Sequence, residues 1–582
     1  MFINIVTIGL SLCITVSKIL NVPEPHFRAN HFTFNMRIKN SFYILFVAGL
    51  ISAGCAKNEK KEETASDIDG KIFAKEIAVL ASDSLEGRKP FSAGEEKTIQ
   101  YLKTEFEKLG LKPGNGDSYF QKVPMVDILS KPVGQLIIKN DKGSVAFNHL
   151  DDFVAASRHV KDQVKLADSE LIFAGYGIVA PEYGWNDYAG LDVRGKTVVV
   201  LVNDPGFFDS TLFKGKTMTY YGRWTYKFEE AARQGAAGVL IVHDTKPASY
   251  GWAVVRSGWS KSKLYLDSDD DNKSRALVEG WITMESAKKL FQLTGVSDTL
   301  MIAAGKKGFK PVLLKARTSL VVDNTIKKSA SNNVLALLPG ADRKDEYIIY
   351  SAHWDHFGKG EVINGDSIYN GAADNASGTA ALLEIASAFT KQRKRPSRSI
   401  LFLSVTAEEQ GLLGSDYYAS HPVYPINKTV ADINMDVLQP FGKMKDIIIV
   451  GKGQSDLDEY ADEAAAKQGR TTRGEPDPSG GWYFRSDHFN FAKVGIPSLY
   501  IENGSVSVEH GEEWGEAQKK DYNDNRYHSP ADEYSASWDL SGIIEDMQLL
   551  FNVGYKLSNE STFPGWKTGS EFKAIRDKSM GK

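Results

Sequence analysis

Between Lys315 and Leu557 the sequence alternates apolar runs of strand length with runs of helical pattern. The strands read SNNVLALLPG, EYIIYSAHWDH, RSILFLSVTAEE, VADINMDVL and IPSLYI, and the helices ALLEIASAFTKQ and IIEDMQLLFNVGYKL. Strand and helix in alternation predict a largely parallel sheet covered by helices. The expected fold class is therefore α/β, a mostly parallel mixed sheet with helices on both faces.

In open α/β sheets ligands collect at the carboxyl ends of strands. His353 follows YIIYSA, Glu408 and Glu409 follow ILFLSVTA, and Asp436 ends VADINM. Two more such groups lie in short phrases, Asp374 in GAADNASG and His528 in YHSPADE. A lone Asp after a strand is ordinarily a turn or cap residue. Several strand ends and loops that all carry imidazole or carboxylate are not explained that way. Zinc accepts His nitrogen and carboxylate oxygen and keeps a position open for water in catalytic sites. Two ions roughly 3.5–4 Å apart can activate a shared water and polarise a carbonyl together. His353, Asp374, Glu409, Asp436 and His528 thus make a ligand set for two Zn2+ per chain, with Glu408 as a proton carrier beside them.

The stretch 67–149 begins with helical patterns, in which Ile99, Leu102, Phe106 and Leu109 recur at helical spacing and Gly110 closes the helix. Residues 150–314 are expected to form a β-rich insert, and 315–558 to complete the domain begun at 67. The polar stretch 559–582 is expected to be a fraying tail.

Residues 36–55, MRIKNSFYILFVAGLISAGC, have the layout of a secretion signal whose apolar run is short for a membrane span. Ser52, Ala53 and Gly54 before Cys55 resemble a bacterial lipoprotein signal, with Met36 as the expected start and 56–66 as a solvated tether. The expectation is export across the inner membrane and membrane contact only through a lipid on Cys55. Residues 1–55 are expected to be a leader, and both cysteines, Cys13 and Cys55, fall in it, so the body of the chain can form no internal disulfide. A formal charge of −4 offers no basic stripe for nucleic acid.

The ordered phrases HxD, GAxDNxSG, AEExGLxGS, NMD and YHxPxDE resemble metallopeptidase family 28, the two-zinc aminopeptidases. GYGI, RGKTVVV and AARQGAAGVLIV in the insert resemble a protease-associated domain. The resemblance implies an exopeptidase acting on peptides, most simply an aminopeptidase. A carboxypeptidase of the same fold is the alternative; a glutaminyl-cyclase-like transferase and a non-catalytic ectodomain are weaker ones. It further implies that His353 and Asp436 hold one zinc, Glu409 and His528 the other, and that Asp374 bridges them. Glu408 becomes the general base, Asp355 the acceptor for the His353 ring, and Tyr527 an oxyanion donor. The Asp374–Asn375 bond is implied to be cis. His356 is expected to be a loop residue, His488 a core or supporting one, and Arg485, Ser486 and Asp487 a substrate wall.

Overall fold

The computed structural model describes residues 68–582, so the leader, Cys55 and the tether lie outside the described residues. Among the described residues no helix is long and apolar enough to cross a membrane.

Two long antiparallel strands, Phe120–Asn140 and Val312–Leu338, run side by side for most of their length. Near its end Val312–Leu338 also pairs with Arg398–Val405, and nearer its start with Gln163–Phe173. This one strand therefore joins two parallel arrays into a single sheet, sixteen-stranded among the described residues.

In the first array Arg343–His353 lies between Arg398–Val405 and Thr429–Asn434, and Ser498–Asn503 follows, all parallel. Every residue of Arg398–Val405 and Thr429–Asn434 is buried. Burial on both faces is what a parallel sheet under crossover helices requires. Ser377–Thr390 and Ser541–Asn559 cover one face, and the N-terminal helices Gly70–Leu80 and Ala93–Lys108 join them there. Phe73, Ile77, Leu102 and Phe106 share a core with Ile348, Leu382, Phe402 and Phe551. The chain thus returns, after the insert, to the sheet its first helices cover. Gly110, at φ +73°, supplies the left-handed turn that ends the second helix.

The second array orders Gln163–Phe173, Thr197–Leu201, Gly238–His243 and Val278–Thr283 in parallel, with Phe153–Ala156 antiparallel at the edge. Helices Trp224–Arg233 and Met284–Thr294 accompany it. The stretch expected to be β-rich is thus itself of strand-and-helix character. Its core takes in Leu136, Ile138 and Phe147 before it and Leu320 and Val322 after it.

The C-terminal stretch does not fray. Trp566 and Phe572 are buried with Tyr483 and Phe489, and Arg576 donates to the carbonyls of Ile426 and Thr429. Two large aromatic side chains outweigh the polar composition around them.

Candidate metal centre

His353 is the last residue of its strand, and the loops just past Arg398–Val405 and Thr429–Asn434 carry Glu408, Glu409 and Asp436 to the same edge. Asp374 sits in the turn that enters helix Ser377–Thr390, and its bond to Asn375 is cis. His528 arrives from the loop after helix Glu512–Asn525.

The two oxygens of Asp374 face different histidines. Oδ1 lies 3.3 Å from His353 Nε2, and Oδ2 lies 3.1 Å from His528 Nε2. His353 Nε2 is also 3.1 Å from Asp436 Oδ1, and His528 Nε2 is 3.3 Å from Glu409 Oε2. Glu408 Oε2 stands 3.9 Å from His353 Nε2. Each imidazole nitrogen thus shares space with two carboxylates, one of them common to both.

Burial opposes charge here, and the outcome differs from group to group. It pushes the carboxyls of Glu408 and Glu409 well above the usual range. Burial acts the same way on Asp374, but hydrogen bonds from His353 and His528 hold it well below. Against the cost of burying its charge, Asp436, Glu408 and Asp374 hold His353 well above the ordinary imidazole value. Four carboxylates gathered in a buried pocket demand countercharge. Buried His356 Nε2 has no hydrogen-bond partner, and His356 Nδ1 and Glu409 Oε1 face each other without hydrogen-bond geometry. A donor set of carboxylate oxygens and imidazole nitrogens with orphaned atoms fits hard or borderline divalent cations.

His356 lies in the loop that follows His353. It is wholly buried, with Nδ1 2.5 Å from Glu409 Oε1, and it clusters with Asp374 and Glu409. The loop after His353 folds back toward Arg88, whose carbonyl accepts the His356 N–H.

Asp355 differs from expectation. His353 Nδ1 meets the Asp355 backbone carbonyl at 3.1 Å, whereas its carboxylate oxygen Oδ1 is 3.9 Å away. That oxygen accepts the backbone N–H of Glu408 at 3.0 Å, so the carboxylate tethers the loop carrying Glu408 and Glu409. Burial lifts the Asp355 carboxyl to about 6.

Tyr527 stacks on the His528 ring at 3.7 Å between centroids and stays partly exposed. Burial and the surrounding carboxylates raise its phenol, which stays protonated and able to donate. His488 is buried between Tyr483 and Tyr500 and held neutral by burial, near 3. Ser486 forms no wall: its hydroxyl donates to Asp436 Oδ2 at 2.6 Å and accepts from Asn434. Asp487 is buried and accepts the hydroxyl of Ser415.

Two residues that the sequence did not single out hold the loop of Asp374. Asp532 accepts the backbone N–H groups of Ala373 and Asp374 and the hydroxyl of Tyr522. Buried Arg88 donates to the carbonyls of Leu80, Trp354, Asn370 and Gly371. Asp532 stands in the same phrase as His528, so a signal was there. An arginine in LEGRK carries none.

Residues 333–551 match the family model "Peptidase family M28". The chain is 30% identical over 253 residues to "Aminopeptidase NAALADL1" of Rattus norvegicus, covering 36% of this chain and 32% of the relative. It is 28% identical over 204 residues to "Leupeptin-inactivating enzyme 1" of Streptomyces exfoliatus, covering 34% and 42%. The chain thus spans less than half the length of these two relatives. Among solved structures, "Aminopeptidase from Aneurinibacillus sp. strain AM-1" aligns with a TM-score of 0.42 at 19% identity, covering 85% of this chain and 95% of that one. The segment similar to peptidase family M28 contains His353, Asp374, Glu408, Glu409, Asp436 and His528.

Proposed function

We propose that this protein is a zinc-dependent exopeptidase, an aminopeptidase that releases N-terminal residues from peptides. The observation that carries the proposal is the division of Asp374, one oxygen toward His353 and the other toward His528. In this reading His353 and Asp436 would hold one zinc, Glu409 and His528 the second, and Asp374 would serve both. When bound, the pair supplies Lewis acidity and lowers the pKa of a water. Glu408 takes the proton of the attacking water on its carboxylate and hands it to the nitrogen of the leaving amine. Its burial favours the protonated form it must adopt between those two transfers. The Tyr527 hydroxyl donates to the oxyanion. Asp355 and Asp532 are positioning residues, the first for the Glu408 loop and the second for the Asp374 loop. Residues 150–314 form a protease-associated insert, and the mature chain is exported and anchored through a lipid on Cys55, which fatty-acid labelling of a Cys55→Ala variant tests.

A carboxypeptidase of the same fold is the second reading. It is favoured by Arg485, next to Ser486, which has no carboxylate partner among the described residues. A peptide panel separates the two. The aminopeptidase cuts an unblocked peptide and leaves its N-acetylated form intact; equal rates on both would overturn that direction of cleavage.

A further inference from the structure

The parallel strands of the second array all end at one cavity. Tyr176, just past Gln163–Phe173, lines it with Leu201 and Val202 at the end of Thr197–Leu201. Val242 and Asp244 join them at the end of Gly238–His243, and Met284 just past Val278–Thr283. The carboxyl edge of a parallel sheet is where ligands of α/β folds collect. The cavity holds about 500 Å3, which suits a small molecule. We infer that it binds the ammonium group and apolar side chain of an α-amino acid, free or at the N-terminus of a peptide. None of the candidate metal ligands lines it.

Its walls are held from behind. Asp187 accepts the N–H of Tyr176 at 3.1 Å, and the Asn203 amide donates to the carbonyl of Pro247 at 2.7 Å. Lys227 donates to the carbonyl of Asn203 at 2.8 Å, and all three of these side chains are buried. The loops after three of the strands are thus fixed in advance, which leaves less to be ordered on binding.

The lining sorts the parts of the ligand. Leu201, Val202 and Val242 are buried and give an apolar floor, while Phe208 and Ile302 stay 65% and 71% exposed. The charged side chains of the lining are Asp209, Asp244 and Lys306. Asp209 is already engaged: Oδ1 accepts the N–H and hydroxyl of Thr211, and Oδ2 faces Lys306 at 3.9 Å. Asp244 makes no ion pair among the described residues, and its Oδ1 accepts the N–H of Lys246 at 3.3 Å. An apolar cavity with a carboxylate of uncancelled charge selects an apolar molecule that carries a cation. Lys306 separates two sources of that chemistry. A free amino acid has a carboxylate to meet it, and the N-terminal residue of a peptide has none.

Three probes on the zinc-loaded full chain test this. L-leucine carries ammonium, carboxylate and side chain; isoamylamine lacks the carboxylate, and N-acetyl-leucine lacks the ammonium. Met284 and Met301 both line the cavity, so their isotope-labelled methyl signals, assigned through Met284→Leu and Met301→Leu, report binding there. Leucine or isoamylamine should shift these signals saturably, with a Kd about tenfold or more below that of N-acetyl-leucine, the order that one charge-assisted hydrogen bond supplies. Asp244→Asn keeps the acceptor for Lys246 and should remove most of that preference. Met301→Trp narrows the cavity and should weaken both ligands; it decides the matter if Asp244→Asn does not fold. Leucine bound more tightly than isoamylamine, with the difference lost in Lys306→Met, assigns the site to a free amino acid. Leucine bound no more tightly assigns it to a peptide N-terminus. Unmoved methyl signals, equal binding of N-acetyl-leucine, or a preference that survives Asp244→Asn overturns the inference. No readout here is hydrolysis, so the peptidase reading stands or falls separately.

Discussion

Ser486 donates its hydroxyl to Oδ2 of Asp436 at 2.6 Å, which leaves Oδ1 as the oxygen that faces His353. A carboxylate free to turn could offer either oxygen; this one is held to one presentation. Ser486→Ala should therefore weaken metal binding by about 10–100-fold, the usual effect of removing a ligand's supporting hydrogen bond. Competition against a graded chelator, with turnover measured at saturating zinc, is the check. Unchanged chelator sensitivity would remove Ser486 from this role.

Glu408 touches no metal in the proposed assignment, and its isostere Gln keeps the shape of the pocket. Glu408→Gln should retain the metal content of the native chain and lose about 10²–10⁴-fold in kcat, the range of a positioned acid–base group. Metal analysis and turnover on the same preparation test it. Full activity would exclude Glu408 as the base.

His356 and His528 both approach Glu409, from opposite oxygens. In the proposed arrangement His528 is the ligand and His356 supports Glu409. His528→Ala should then reduce zinc content from two ions to one. His356→Ala should keep both ions and bind the second about 10–100-fold more weakly. The reverse pattern of metal stoichiometry would exchange the two roles.

Glu384, buried on helix Ser377–Thr390, accepts the N–H of Asp69, and burial raises its carboxyl from 4.5 to about 6. The folded chain therefore binds this proton more tightly than the unfolded one. Its stabilising contribution is complete below about 4.5 and is lost as pH climbs through about 6. Glu384→Gln keeps an acceptor for Asp69 without the charge. Relative to the native chain its Tm should rise between pH 4.5 and 7, by the equivalent of roughly 2 kcal/mol. A pH-independent difference would show that the carboxyl titrates normally.

The parallel array was legible because strands buried on both faces must be largely apolar, as ILFLSVTA is. The candidate ligands were legible because each sits in a short phrase at a strand end or loop. Arg88 was not, since its work depends on four carbonyls from separate parts of the chain meeting at one point. Nor was the role of the Asp355 carboxylate, which turns on where the loop of Glu408 settles rather than on its spacing from His353. Val312–Leu338 was legible only at its end, SNNVLALLPG: charged residues interrupt its first half, where one face meets solvent.

That strand also bears on how the chain could be shortened. Cutting out 150–314 would not release a bead from a string. It would strip Gln163–Phe173 from Val312–Leu338 and leave a row of unsatisfied backbone groups along a strand built to be interior. Exposed edges of this kind recruit other chains. A truncated form should accordingly be found in aggregates rather than as a smaller working enzyme.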